Sequence, residues 1–138
     1  MSSFKKIDHI GIAVHNLQEA INKYEQTLGI PCYKQETVEN EGVVTAFFRS
    51  GETKIELLAA TRSDSPITRF LEKRGEGMHH LAFDVDDITA EMERLQAGGY
   101  TLLHDFPKTG ADNKLIVFLH PKEHHGVLIE LCQELPAF

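Results

Sequence analysis

No stretch of the chain approaches the ~20 consecutive apolar residues that a membrane-spanning helix needs, and the N-terminus, MSSFKKIDHI, lacks the apolar core of a signal peptide. These absences point to a cytoplasmic protein with no membrane partner. Cysteine is scarce as well: Cys32 and Cys132 stand far apart without a CxxC spacing, so neither an oxidising compartment nor a thiolate metal site is indicated. Buried free thiols are expected. Positive charge is in deficit, with 14 Lys and Arg against 21 Asp and Glu, a net charge of −7 that disfavours a nucleic-acid backbone over most of the surface. A phosphate-bearing small molecule would need a local basic cluster.

What is present is enough apolar material for a core, 41% hydrophobic residues in a 138-residue chain, and an unusual eight histidines. Two segments resemble each other at a constant offset of 71 residues, IDHIGIAVHNLQEAINKY at 7–24 and MHHLAFDVDDITAEMERL at 78–95. His9 maps onto His80, Val14 onto Val85, Asn16 onto Asp87 and Ile21 onto Met92. In the first copy Ile10, Ile12 and Val14 alternate with His9, Gly11 and Ala13, the period of a strand with one oily face and the histidine on the other. Asn16 then caps a helix whose apolar stripe runs Leu17, Ala20, Ile21, Tyr24 and Leu28, with Gly29 at its end. The second copy repeats this with Leu81, Phe83 and Val85 opposite His80, Asp87 as cap, and Gly98-Gly99 as stop.

Strand-like runs follow each helix, at 32–38, 43–49 and 54–58, then at 101–104, 114–119 and 127–131. The pattern is βαβββ twice. Ser65, Pro66 and Gly75 frame a short helix between the halves. The expected organisation is one domain over 1–138, with module one at about 5–60, a connecting helix at about 65–75 and module two at about 77–134. On the last strand of each half a carboxylate sits between two aliphatic residues, Glu56 between Ile55 and Leu57 and Glu130 between Ile129 and Leu131. All four polar residues avoid the helix-packed layer. They could simply face water, as one side of an antiparallel sheet often does. Their matched places in two halves favour convergence on a divalent metal instead. A His₂Glu₂ set suits Zn²⁺, Co²⁺, Ni²⁺, Mn²⁺ or Fe²⁺ without choosing among them.

Paired βαβββ halves with this His/Glu set resemble the vicinal oxygen chelate superfamily, and within it the methylmalonyl-CoA epimerases. The motifs that carry the likeness are DHIGIAV (8–14), TKIELL (53–58), DSPITRFLEKRGEGMHHLAFDVDDI (64–88), FLHPK (118–122) and GVLIEL (126–131). The resemblance implies an α+β glyoxalase-like fold around a central site for one divalent metal ion (Co, Zn, Ni or Mn), held by His9, Glu56, His80 and Glu130. It further implies an acyl-CoA substrate epimerised at C2 through a metal-stabilised enolate, Glu130 as first and Glu56 as second candidate for moving the proton, and the family's usual homodimer. Some members carry Gln where Glu56 stands; a second carboxylate should hold a dication more strongly and leave it a weaker Lewis acid.

Two departures from the family pattern stand out: Thr45 replaces a glutamate proposed as a base in some members, and Gly110-Ala111-Asp112-Asn113 replaces a glycine-rich loop. The alternative activity is that of a glyoxalase I-like lyase acting on a glutathione hemithioacetal. An Fe(II) dioxygenase would need open positions that a fourth protein ligand fills. A metal-free ligand-sequestering module has no use for the four-residue set. His79 is expected to face the helix side as a packed side chain, His124 and His125 to be surface residues in a hairpin, and His15 and His120 are unassigned.

Overall fold

In the computed structural model, which describes residues 4–136, the chain divides into two compact units: one runs from His9 to His79, the other joins the residues up to Asp8 with those from His80 onward. The first unit takes strand β1 (Phe4–Ala13) from His9 on, helix α1 (Leu17–Leu28), strands β2 (Lys34–Val38), β3 (Val43–Ser50) and β4 (Thr53–Ala60), and helix α2 (Pro66–Arg74). The second takes most of β5 (Gly77–Val85), then α3 (Ile88–Ala97), β6 (Lys108–Gly110), β7 (Lys114–Leu119) and β8 (Ile129–Glu134).

The same wiring recurs in each. Strand β1 runs parallel to β4, with β4–β3 and β3–β2 antiparallel, giving the order β2-β3-β4-β1. Strand β5 runs parallel to β8, with β8–β7 and β7–β6 antiparallel, giving β5-β8-β7-β6. Parallel first and last strands follow from the helix crossover, which returns the chain to the sheet in the same direction.

Local chemistry sets the helices where the sequence reading places them. The Asn16 side chain accepts a hydrogen bond from the Glu19 N–H at 3.0 Å, Asp87 does the same from Ala90 at 3.1 Å, and Gly29 closes α1 in the left-handed region at φ 71°. Ser65 caps α2 by accepting from the Ile67 N–H, with Pro66 at the first helical position. Helix α1 packs its stripe on a core of Ile21, Ala46, Phe48 and Leu57, joined by Ile12, Leu17 and Tyr24. In the other unit Val85, Ile88, Met92 and Leu95 pack with Val117, Leu119, Ile129 and Leu131.

Three strand expectations shift. No strand covers 101–104; only Leu102 makes an isolated bridge, to Leu119, and the sixth strand lies at Lys108–Gly110. The Thr101 N–H is drawn to the Glu123 carboxylate at 2.7 Å, and Pro107 has no N–H to donate, so pairing restarts after it. Strand β2 begins at Lys34 because the Cys32 N–H donates to the Glu25 carboxylate. Strand β8 begins at Ile129, after a turn in which Val127 donates to the His124 carbonyl. Both cysteines are free thiols, Cys132 buried and Cys32 half-buried.

Candidate functional site

The period-two alternation read from the sequence puts each histidine and its glutamate on one sheet face, because side chains of residues paired across adjacent strands share a face. In the first unit Gly11 lies beside Glu56, so His9, two residues before Gly11, shares that face. In the second, Ala82 lies beside Glu130, and His80 follows by the same step. His9 Nδ1 is 3.2 Å from a Glu56 carboxylate oxygen, and His80 Nε2 is 3.5 Å from one of Glu130. All four side chains are buried, with residue exposures of 4–7%, so the reading in which they merely face water fails. Each unit thus holds one His–Glu pair shut off from solvent.

Register also identifies neighbours that the sequence alone did not. Phe47 is directly opposite Glu56, and Phe118 directly opposite Glu130, so a phenyl ring flanks each carboxylate. The Phe118 ring meets the His80 ring edge-on at 6.0 Å. Lys108, opposite Ile116, is on the Phe118 face with its ammonium 5.8 Å from that ring. In the first unit Glu36 faces Thr45, and Thr45 shares the Glu56 face two residues along from Phe47. Glu36 is therefore a half-buried carboxylate on the same face, ion-paired to Lys34 at 3.6 Å, while Thr45 itself is fully buried. The only signal for these residues was long-range strand register, which no local pattern encodes.

The remaining histidines separate by environment. His79 turns to the helix side, as expected, and its ring meets Phe70 of α2 edge-on at 4.9 Å. Burial there pushes its pKa down to about 4. His124 and His125 lie in a 3₁₀ turn (Pro121–His124) and its left-handed cap, between β7 and β8. His125 is exposed, whereas His124 stacks on Tyr100 at 5.5 Å. His120 caps that turn by accepting from the Lys122 N–H, and exposed His15 donates its backbone N–H to Glu76.

Two βαβββ modules, each with a buried His–Glu pair, define a class, and the sequence profile of the Glyoxalase/Bleomycin resistance protein/Dioxygenase superfamily matches residues 8–118. The chain belongs to this superfamily, and the expected glyoxalase-like α+β fold is borne out. Its relatives within the superfamily include several methylmalonyl-CoA epimerases, enzymes of the isomerase class. The ethylmalonyl-CoA/methylmalonyl-CoA epimerase of Cereibacter sphaeroides is 41% identical over 130 residues, covering 93% of this chain and 97% of its own. The crystal structure of methylmalonyl-CoA epimerase from Mycobacterium tuberculosis superposes with a TM-score of 0.94 at 36% identity, over 99% of this chain and 92% of that one. A variant of the Streptomyces coelicolor methylmalonyl-CoA epimerase in complex with 2-nitronate-propionyl-CoA gives 0.91 at 37% identity, over 97% and 100%. Among the described residues no helix is long and apolar enough to cross a membrane.

Proposed function

We propose that the chain epimerises methylmalonyl-CoA at C2 and that His9, Glu56, His80 and Glu130 together hold one divalent metal ion. The observation that carries the reading is the pairing, twice over, of a buried imidazole with a buried carboxylate at 3.2 and 3.5 Å, in a chain about 40% identical to epimerases. The donors fit such an ion: neutral imidazole nitrogens and carboxylate oxygens bind borderline and hard dications, and burying two carboxylates is costly unless positive charge meets them. When bound, the ion supplies Lewis-acid stabilisation of the negative charge that develops on the thioester carbonyl and the neighbouring carboxylate.

The chain's own residues do the rest. A Glu130 carboxylate oxygen accepts the C2 proton, leaving the electron pair delocalised into the thioester as an enolate. Glu56, which carries a proton taken from solvent when Glu130 is ionised, delivers it to the opposite face of C2 and yields the epimer; loss of the Glu130 proton to solvent and uptake of one by Glu56 restore the starting state. His9 and His80 orient the two carboxylates, and Phe47 and Phe118 beside them exclude water from the reacting carbon. Thr45, whose hydroxyl is no base near neutral pH, takes no part in the transfer.

Acyl-CoA is the proposed partner, the assembly a homodimer and the location the cytoplasm. A turnover assay against methylmalonyl-CoA and against the glutathione hemithioacetal of methylglyoxal tests the assignment. Epimerisation of the first without conversion of the second is expected; conversion of the hemithioacetal alone would replace this reading with the lyase.

A further inference from the structure

Lys114 and Asp8 form an ion pair that the reaction above does not use. Their Nζ–Oδ1 distance is 2.8 Å, the residues are 6% and 2% exposed, and 106 positions separate them in the chain. Lys114 heads β7 on the face of Ile116 and Phe118, and by register that face carries Glu130 and Cys132 of β8. The Asp8 carboxylate lies within 4.8 Å of the Cys132 thiol, so the pair belongs to the buried face on which Glu130 stands.

Such a pair is a poor device for stability. Two charges withdrawn from water lose solvation that their attraction barely repays, and apolar residues of like volume often serve as well or better. What an ion pair does supply is direction: it fixes one carboxylate against one ammonium at one distance. Asp8 is the residue immediately before His9 in β1. The part of the strand before His9 is tied to the second unit at Phe4, whose ring meets Phe83 at 5.0 Å, at Lys5, which pairs with Asp84 and Asp86, and finally at Asp8. The first two ties are several residues upstream, and the ammonium of Lys5 is half in solvent.

We propose that the Asp8–Lys114 pair is a positioning device that fixes the backbone from which His9 is presented to the metal. This role rests on the metal centre proposed above. In this role Asp8 and Lys114 act on the ion through His9, as positioning residues and not as ligands.

The test is titration of Co²⁺ into metal-free protein, with thermal melts of the same samples. Asp8→Asn combined with Lys114→Met removes both charges and keeps the side-chain volumes; its metal-free melting temperature is expected to match or exceed that of the wild type, while its Co²⁺ affinity falls at least tenfold. Lys114→Arg, which keeps the pair, is expected within threefold of the wild type. Asp8→Glu keeps both charges but adds a methylene, and decides the matter if the double variant does not fold: a severalfold weaker affinity at an unchanged melting temperature supports the role. A folded double variant, or failing that Asp8→Glu, binding Co²⁺ within twofold of the wild type overturns the positioning role and leaves the metal centre standing. A wild type that binds no Co²⁺ overturns both.

Discussion

Acidification should destabilise this fold through His79, and the size of the effect follows from its packing. The ring lies against Phe70 of α2, where burial depresses its pKa from 6.5 to about 4. Between those values the unfolded chain binds a proton that the folded chain refuses, so stability is complete above pH 6.5 and is lost as pH falls toward 4. Linkage gives a loss of about 2 kcal/mol by pH 5 and about 3 kcal/mol by pH 4 relative to neutrality. His79→Phe keeps an aromatic edge against Phe70 and removes the titration. Urea unfolding of metal-free wild type and variant at pH 7.5 and pH 5 isolates the contribution, since every other group cancels in the difference. The wild type should lose about 2 kcal/mol more than the variant over that interval. Equal losses would show that His79 is protonated in the folded state and that its burial does not govern its charge.

His80→Ala should abolish measurable metal binding along with turnover, whereas exposed His125→Ala should leave both within twofold, as metal analysis and kinetics on the same preparations would show. Leu131→Ala, at a fully buried core position, should cost about 3–5 kcal/mol in denaturant unfolding without altering metal stoichiometry. Ser65→Ala removes the α2 cap and a buried hydroxyl at once and should cost about 1–2 kcal/mol by the same method. In native protein a thiol reagent should modify half-buried Cys32 and spare Cys132, both reacting once the chain is unfolded.

The sequence showed what is local. A 71-residue offset placed both helices with their caps at Asn16 and Asp87, because a cap needs only a side chain and an N–H three residues on. Period-two alternation put His9 with Glu56 and His80 with Glu130 on faces turned from the helices, since direction within a strand depends on the strand alone. Whatever depended on distant partners was hidden. The sixth strand fell at Lys108–Gly110 instead of 101–104 because Glu123, 22 residues away, captures the Thr101 N–H. Glu36 and Lys108 join the faces of Glu56 and Glu130 through register across intervening strands. The Asp8–Lys114 pair spans nearly the whole chain, and nothing in either residue's neighbourhood announces it.

As proposed above, Glu130 within a metal-holding His/Glu set moves the C2 proton of methylmalonyl-CoA. Proton NMR of that substrate in D₂O with metal-loaded protein reads the step directly. Wild-type protein should erase the C2 proton signal at a rate matching epimerisation, and Glu130→Gln with its metal content measured and retained should slow the loss by at least 100-fold. A C2 signal that persists with metal-loaded wild type, or a metal-retaining Glu130→Gln protein that exchanges it at the wild-type rate, would contradict the claim.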